Sequence, residues 1–385
     1  MSRLLTRLLR PPRGSFFLFG PRGTGKSTWL RTVMPGAHTI SLLDEALYHA
    51  LLAEPGRFAD ELRAIAPGSW IVVDEVQRIP GLLNEVHRFI EDRRLKFALC
   101  GSSARKLKRD GTNLLAGRAV RRTMHPLVPE ELGDEFSLDE VLRFGSLPVV
   151  WRADDRKDAL DAYAQMYIRE EIQAEALVRS LAGFVRMLPI AAIFHAQVLN
   201  VAAVARDAGV ARNTVVGYLE ILRDTLVTFE LSAFESRLRV RERRHPKLYW
   251  VDPGLPRALR RQLGPVTAEE RGPLFEGWIA TVLRAYGDYR ELFDEWAYWA
   301  SGSGVEVDFL LRKGDRFVAI EAKSATRVDA RDLRGLQAIG ELPGVVRRLV
   351  VYRGTRRQRM ADGIELLPVR GWLDELQQGS LYETA

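Results

Sequence analysis

The segment at residues 20–28 combines glycines, a lysine and hydroxyl side chains in an order that suits a nucleotide phosphate. It reads Gly20, Pro21, Arg22, Gly23, Thr24, Gly25, Lys26, Ser27, Thr28. The pattern G-x-x-x-x-G-K-[ST] is matched at every specified position, and its glycines let backbone N–H groups surround a polyphosphate. We expect Lys26 to contact the β- and γ-phosphates and Ser27 to bind Mg²⁺. A helix that begins after the loop would direct its positive end at the anion.

Two further apolar runs end in polar residues and are predicted to lie beside this loop. Asp74 and Glu75 end the run that begins at Trp70, and Ser102 and Ser103 follow the next run. Ligands of parallel sheets bind at the carboxyl ends of the strands, so Asp74 is expected to join the Mg²⁺ shell and Glu75 to polarise an attacking water. The alternative for these acids is a helix N-cap after a core strand. Together the elements predict binding and hydrolysis of ATP.

Composition predicts a multidomain protein of the reducing cytoplasm. The chain has 385 residues, which favours two or three domains, and 46% of them are apolar. A single cysteine, Cys100, excludes a disulfide framework within the chain. No stretch is typical of a membrane span, and the most apolar window, 187–205, predicts a buried helix. Residues 3–10 are predicted to form a short amphipathic helix. The net charge of +7 is compatible with a polyanionic partner.

The order of apolar runs divides the chain into four regions. Residues 1–125 alternate strands and helices, which is typical of a parallel sheet with crossover helices. The next region, 126–185, is predicted to be helical, with a long helix at 157–183. A different unit follows at 186–250, and residues 251–385 begin with a predicted helix at 255–285. The predicted strands are 15–19, 38–43, 70–74, 96–100 and 119–124 in the first region, and 296–299, 305–311, 317–323 and 348–352 in the last.

The unit at 186–250 is predicted to contain a helix-turn-helix. A short helix, a turn at Gly209 and a second helix from about residue 211 match that motif. The second helix begins with the side chains that would contact a DNA groove, which are Arg212, Asn213 and Thr214. A strand with arginines on one face follows, which would form a basic wing: Arg237, Arg239, Arg241, Arg243. The alternative is a wing that packs against protein, with its arginines paired to acids.

The last region carries acids and a lysine at the spacing of a metal-dependent nuclease. Glu321 and Lys323 lie two apart on a predicted strand and therefore face the same side, and Asp308 lies on the neighbouring strand. With Glu276 on the preceding helix, these carboxylates are expected to bind Mg²⁺, while Lys323 stabilises the charge that develops on phosphorus. The E…D…E-x-K pattern is that of the restriction-endonuclease-like (PD-(D/E)XK) fold. Val307 replaces the proline of that motif, so a fold that has lost cleavage is the alternative.

Several stretches taken together resemble one known group. They are Gly20–Ser27, Val73–Gln77, Gly101–Arg105, Leu115–Arg118, Phe144–Pro148, Tyr167–Ile172 and the acids of the last region. The sequence resembles the bacterial and archaeal AAA-type ATPases whose C-terminal half is an uncharacterised domain with a restriction-endonuclease-like core. The resemblance covers nearly the whole chain. Ser146 departs from it, because the group usually has glycine there.

This resemblance implies an α/β fold built from an AAA-type core, a helical lid, a winged helix and a restriction-endonuclease-like domain. It also implies assembly of identical subunits into a ring. Ser102 or Ser103 would sense the γ-phosphate, and Arg118 would reach the ATP of the next subunit. The alternative for Arg118 is a basic residue that flanks the predicted strand at 119–124.

Two main hypotheses about function follow. The first is a cytoplasmic, oligomeric ATPase that engages or remodels DNA, with metal-dependent cleavage by the last domain as an open addition. The second is a nucleotide-switched regulatory or scaffold ATPase that binds protein partners and carries an inactive nuclease-like domain. A small-molecule kinase would explain the phosphate loop but not the second half of the chain.

Overall fold

The apolar runs of the first region form a five-stranded sheet in which every strand is parallel to its neighbours. The structure is a computed structural model and describes residues 5–103, 115, 117–167, 181–234, 245–302 and 304–383. The strands are β1 (Phe16–Phe19), β2 (His38–Ser41), β3 (Trp70–Asp74), β4 (Lys96–Gly101) and β5 (Val120–Thr123). Their spatial order is β2-β3-β4-β1-β5. All five predicted strands are confirmed, and the order brings the ends of β1, β3 and β4 side by side.

Helices cover both faces of this sheet, because alternate residues of each strand point to opposite sides. The helices are α1 (Lys26–Val33), α2 (Glu45–Ala53), α3 (Gly56–Arg63) and α4 (Leu82–Arg93). Phe17 and Val73 belong to the apolar core on one face, and Phe16 and Val72 to the core on the other, which includes Trp29 of α1. The sheet is therefore buried on both sides and rigid, which suits it to position a loop at its edge.

The N-terminal segment is not a helix in its described part, so the expectation of an amphipathic helix at 3–10 is wrong for residues 5–10. Tertiary contacts override the local pattern. Leu9 is buried in the core beside Trp29. The Arg7 guanidinium donates to the carbonyl of Thr24 at 2.6 Å and forms an ion pair with Glu131 at 3.0 Å. These partners fix the segment against the sheet in a non-helical conformation.

A helical region follows the sheet, but it is more broken than predicted. Its helices are α5 (Pro129–Leu132), α6 (Leu138–Phe144), α7 (Pro148–Trp151), α8 (Arg156–Ala162) and α9 (Leu181–Ile193). The long helix expected at 157–183 is helical in its described parts, with a π-helical turn at Tyr163–Tyr167, and its residues 168–180 lie outside the described residues. The helix expected at 187–205 is interrupted between Ile193 and Val201, because Ala196 takes a left-handed conformation and Asn200 caps a new helix.

Two helices and a three-stranded antiparallel sheet form the next unit. They are β6 (Gln197–Val198), α10 (Val201–Ala208), α11 (Arg212–Asp224), β7 (Thr228–Leu231) and β8 (Lys247–Trp250). The strand order is β6-β8-β7. Gly209, with φ 62°, ends α10 and turns the chain into α11, as the sequence predicted. The predicted basic strand with Arg237, Arg239, Arg241 and Arg243 lies outside the described residues.

A six-stranded mixed sheet with a long helix packed on it completes the fold. The elements are α12 (Gly254–Leu259), α13 (Ala268–Arg290), β9 (Glu295–Ala300), β10 (Glu306–Lys313), β11 (Arg316–Lys323), α14 (Arg334–Ala338), β12 (Val345–Tyr352), β13 (Gln358–Arg359), β14 (Glu365–Pro368) and α15 (Val369–Gln378). The strand order is β13-β14-β12-β11-β10-β9. The single helix expected at 255–285 is two helices, because Thr267 and Glu270 form a capping box that starts α13 anew.

Within the part of the chain that the structure describes, no helix is both long and apolar enough to cross a membrane.

Candidate nucleotide-binding site

The loop between β1 and α1 has a backbone that only glycine permits at several points. Gly23 and Gly25 have φ values of 80° and 85°, which are costly for residues with a Cβ atom. At Gly20 a Cβ atom would lie 2.4 Å from the carbonyl oxygen of Met124. The loop therefore turns tightly between the sheet and the first turn of α1, with its backbone close to the helix N-terminus.

Lys26 is buried and its ammonium bonds to the loop itself. Its Nζ donates to the carbonyl oxygens of Gly20 at 2.7 Å and Pro21 at 3.1 Å. Thr24 tightens the same turn by donating from Oγ1 to Pro21 O at 2.8 Å. Because both bonds from Lys26 go to neutral carbonyls, its positive charge stays available to an anion.

Ser27 and Asp74 meet across the sheet edge, although 47 positions separate them in the chain. The Ser27 hydroxyl donates to Oδ2 of Asp74 at 2.7 Å, and Oδ1 of Asp74 accepts from the Glu75 N–H at 3.1 Å. A hydroxyl and a carboxylate oxygen are ligand types that Mg²⁺ prefers. The two side chains are already within hydrogen-bond distance of each other, so this pair fits a Mg²⁺ ion that they would hold jointly.

Glu75 is joined to Ser102 through Gln77, a residue to which the sequence patterns gave no role. The side-chain amide of Gln77 donates to a carboxylate oxygen of Glu75 and to the Ser102 hydroxyl, the latter at 3.2 Å. A Cβ atom at Gly101 would lie 2.3 Å from Oε1 of Gln77. Glu75 has a left-handed backbone with φ 56°. Ser102 therefore belongs to the network around Glu75, and Ser103 is fully buried next to it.

Two cavities flank the loop and share Gly25 and Thr28. The larger, of about 630 Å³, is lined by polar residues that include Arg22, Lys26, Ser27, Glu75 and Ser102. The smaller, of about 290 Å³, has mainly apolar walls: Leu5, Leu9, Trp29, Val33, Leu127 and Pro148. A polar cavity suits phosphates and an apolar one suits a flat ring. The N-terminal segment contributes to the second cavity, which the sequence patterns did not reveal.

The helical region contacts the loop directly. The N–H of Val149 donates to the Gly23 carbonyl at 3.3 Å, and the Tyr163 hydroxyl donates to the Arg22 carbonyl at 2.8 Å. A Cβ atom at Gly23 would lie 2.6 Å from Cγ1 of Val149. Helix α7 and the π-helical turn that follows α8 thus rest on the phosphate loop.

A buried aspartate connects this helical region to β8. Asp252, two residues after β8, accepts from the N–H groups of Ser146 at 2.6 Å and Gly254 at 2.9 Å. Burial raises the pKa of the Asp252 carboxyl to about 7 despite these bonds. At Gly145 a Cβ atom would lie 1.7 Å from Oδ1 of Asp252, so the Phe144–Pro148 stretch needs its glycine for this contact.

Arg118 and the predicted DNA contacts at the start of α11 lie away from the loop. Arg118 donates to Glu91 of α4, and both side chains are partly exposed. Arg118 is not among the residues that line the polar cavity. At the start of α11, Arg212 and Asn213 are exposed and Thr214 is half-buried.

The acids of the last region are brought together as predicted, but a lysine from β8 lies among them. Nζ of Lys247 is 3.0 Å from Oε1 of Glu276 and 3.0 Å from Oδ1 of Asp308. Lys323 pairs with Glu321 at 2.8 Å. Burial and the charge of Asp308 raise the pKa of Glu321 to about 8. Among the described residues no group of three or more His, Cys, Asp or Glu side chains is arranged to hold a metal ion. The expected Mg²⁺ site at Glu276, Asp308 and Glu321 therefore does not fit a metal in this conformation.

Comparisons with known proteins add a family for the first part of the chain. Residues 13–133 match an AAA domain. Residues 135–265 and 271–372 match two domains of unknown function, DUF8612 and DUF4143 respectively. Uncharacterized proteins of Mycobacterium bovis and Mycobacterium tuberculosis are each 29% identical over 394 residues, covering 97% of this chain and 85% of the relative.

Solved structures show only weak likeness. The Aeropyrum pernix ORC1 protein in complex with DNA is 15% identical over 65% of this chain and 87% of that chain, with a TM-score of 0.26. A signal transduction ATPase of Pyrococcus horikoshii is 12% identical over 72% of this chain and 44% of that chain, with a TM-score of 0.24. TM-scores this low carry no argument about fold or function. The AAA match, by contrast, spans the loop and both strand ends of the site, so residues 13–133 form an AAA-type P-loop domain.

Proposed function

We propose that the AAA-type domain binds ATP with Mg²⁺ and hydrolyses it. The observation that carries this proposal is the contact of Ser27 with Asp74 at 2.7 Å, beside a loop in which Lys26 bonds to the carbonyls of Gly20 and Pro21. Mg²⁺, when bound, would neutralise phosphate charge. Ser27 and Asp74 would hold the ion, and Lys26 would exchange its bonds with Gly20 and Pro21 for the β- and γ-phosphates.

Glu75 would act on the attacking water, with Gln77 and Ser102 fixing its position. The Glu75 carboxylate accepts a hydrogen bond from the Gln77 amide. This bond orients the carboxylate towards the polar cavity, which Glu75 helps to line. A carboxylate held in this way polarises water and accepts its proton. Ser102 accepts from the same amide, so contact of Ser102 with the γ-phosphate would affect the position of Glu75 through the Gln77 side chain.

Two substitutions separate binding from turnover. Lys26→Ala is expected to abolish nucleotide binding measured by calorimetry, because the phosphates lose their charged partner. Glu75→Gln is expected to bind ATP and lose turnover, since it removes only the proton acceptor. Arg57→Ala, an exposed arginine of the same domain, is the control and should retain both. The assignment is falsified if Glu75→Gln hydrolyses ATP at the wild-type rate.

We infer further that DNA is the partner on which this ATPase acts. In this proposal residues 186–250 form a winged helix and residues 251–385 a restriction-endonuclease-like domain. The support is the exposure of Arg212 and Asn213 at the first turn of α11, together with a net charge of +7. The arginines at 237–243 would add phosphate contacts from the wing.

The salt dependence of binding tests this interface. Replacing Arg237 and Arg239 by alanine should weaken binding to every duplex sequence, and the slope of log K against log salt should fall by about 0.9 per lost phosphate contact. Replacing two exposed arginines outside the winged helix, Arg57 and Arg331, by alanine is the charge-matched control. An unchanged slope and affinity would instead support a wing that packs against protein.

One observation favours the second hypothesis, a scaffold or regulatory ATPase that binds protein. Lys247 occupies the carboxylate cluster in which a nuclease would need its metal. Stimulation of ATP turnover by DNA separates the two hypotheses. A rate that duplex, single-stranded and branched DNA all leave unchanged would favour the scaffold.

We also propose that subunits assemble so that Arg118 reaches a neighbour's ATP. Its pairing with Glu91 is exposed, and exposed ion pairs contribute little to stability, so a phosphate can displace the glutamate. Mixing Arg118→Ala with Lys26→Ala subunits should restore part of the activity that each lacks. Full activity of Arg118→Ala alone would refute this role.

A further inference from the structure

The carboxylate cluster of the last domain already contains a cation that belongs to the chain. Lys247 enters it from β8, which pairs on one side with β6 and on the other with β7. Its side chain is 5% exposed, and Nζ lies at 3.0 Å from both Glu276 on α13 and Asp308 on β10. The Tyr249 hydroxyl, from the same strand, donates to the same oxygen of Glu276 at 2.7 Å.

The position of the ammonium is the one that a shared metal ion would take. A Mg²⁺ ion binds oxygen at about 2.0–2.1 Å, so an ion that reached both Glu276 and Asp308 would overlap Nζ. Oε2 of Glu306 is a third carboxylate oxygen near Nζ, at 3.9 Å, so the ammonium is surrounded by acids and stays in the cluster while β8 stays in place.

We propose that Lys247 is the resident cation of this cluster and masks Glu276, Asp308 and Glu321 from divalent cations, so that the cluster does not fit a metal while the lysine is in place. The two lysines, Lys247 and Lys323, neutralise two of the three carboxylates. Glu321 keeps one oxygen unpaired, because its Oε1 contacts Lys323 at 2.8 Å while its Oε2 is buried and has no hydrogen-bond partner among the described residues. Oδ2 of Asp308 accepts from the Ala322 N–H at 3.0 Å, which holds its carboxylate between β10 and β11.

The masking depends on how β8 docks, not on the last domain alone. Lys247 reaches Glu276 across 29 positions of sequence and Asp308 across 61. A movement of the three-stranded sheet away from α13 and β10 would remove the ammonium and leave the acids facing each other, which favours uptake of a divalent cation. The inference does not rest on ATP hydrolysis or on DNA binding.

Mn²⁺ binding to the full chain tests the proposal directly. All variants carry Asp74→Asn, so that the nucleotide site does not contribute a metal ligand. Free Mn²⁺ is followed by electron paramagnetic resonance without nucleotide. With Lys247 present, we expect no stoichiometric binding at the cluster. Lys247→Met should bind one Mn²⁺ at least about tenfold more tightly than its parent, because removing the ammonium frees two carboxylates.

Two matched variants locate the site. Lys247→Arg keeps a cation on β8 and should exclude Mn²⁺ as its parent does. Adding Asp308→Asn to Lys247→Met should remove the new binding. If Lys247→Met is partly unfolded, circular dichroism should show that Mn²⁺ raises its melting temperature. The same measurement with the divalent cations chelated should show no rise. Two results would overturn the proposal. The first is tight Mn²⁺ binding by the parent, with Lys247 in place, that is lost on Asp308→Asn. The second is a Lys247→Met variant that gains no Mn²⁺ binding and whose melting temperature Mn²⁺ does not change.

Discussion

The nucleotide loop and the C-terminal carboxylate cluster contain the same chemical groups in opposite arrangements. Each has carboxylates at a strand end and a lysine nearby. At the loop, Asp74 pairs with the neutral hydroxyl of Ser27 and Lys26 bonds to carbonyls. At the cluster, Asp308 pairs with the ammonium of Lys247. The loop thus keeps its charges for a ligand, whereas the cluster balances most of its charge internally.

The difference shows that the position of the counter-charge decides what an acidic site can do. Acids that face a neutral partner still attract a cation, while acids that face a buried lysine have already bound one. The spacing of Lys323, two residues after Glu321, does not indicate whether the acids are free to bind a cation. The lysine that matters lies on another sheet and was not part of the predicted pattern.

The largest expected effect is a difference between the two sites in how much an aspartate-to-alanine substitution lowers the free energy of unfolding. Asp308→Ala leaves Lys247 buried with one carboxylate fewer, and breaking a buried pair in this way costs about 3–5 kcal/mol. Asp74→Ala removes a bond to a hydroxyl, worth about 1 kcal/mol. Urea denaturation of the full chain, followed by circular dichroism, should show the larger loss for Asp308→Ala. We call the carboxylate cluster the balanced site, because its charges are paired internally, and the nucleotide loop the open site. Equal losses of stability for the two variants would contradict this distinction.

A second expected effect concerns turnover at the open site. Gln77→Ala should lower kcat by about 100-fold, at the low end of what a positioned general base contributes, because Glu75 loses the amide that orients it. Nucleotide affinity should stay unchanged, since the Gln77 amide bonds to Glu75 and Ser102, which lie outside the phosphate loop. Gln337→Ala, an exposed glutamine of the last domain, is the matched control. If Gln77→Ala loses affinity and keeps kcat, Gln77 belongs to binding instead.

The smallest expected effect is a pH dependence near the balanced site. Burial lowers the pKa of His195 to about 3, and its Nδ1 accepts from the Trp250 N–H of β8 at 3.1 Å. The unfolded state binds a proton at His195 near pH 6.5, and the folded state does not. The stabilisation from the neutral, buried His195 is therefore complete above pH 6.5 and is lost as pH falls. At pH 5 the loss is about 2 kcal/mol.

The histidine can be isolated by substitution. His195→Asn keeps a side-chain acceptor, and its free energy of unfolding should rise relative to that of the wild type by about 2 kcal/mol between pH 6.5 and 5. Taking this difference cancels the opposite contributions of Asp252 and Glu321, whose pKa values burial raises to about 7 and about 8. His49→Asn, at a side chain that is 72% exposed, should leave the wild-type slope intact. The assignment fails if both variants follow the wild-type curve.

Local sequence determined the parts whose chemistry depends on neighbours in the chain. The loop from Gly20 to Ser27 follows from glycine conformations and the following helix. The five parallel strands follow from short apolar runs between helical segments, because sheet cores in α/β folds are apolar on both faces. The turn at Gly209 follows from the left-handed conformation that glycine adopts without cost.

Only the tertiary structure decided the contacts between distant elements. Packing of Leu9 and Arg7 against the sheet prevents a helix at residues 5–10. Gln77 meets Ser102 because β3 and β4 are neighbours. Lys247 meets Asp308 because β8 docks beside β10, and nothing near residue 247 indicates that contact. Long-range docking depends on the summed burial of many side chains, so the sequence identified the acids of the last domain but not the lysine that balances them.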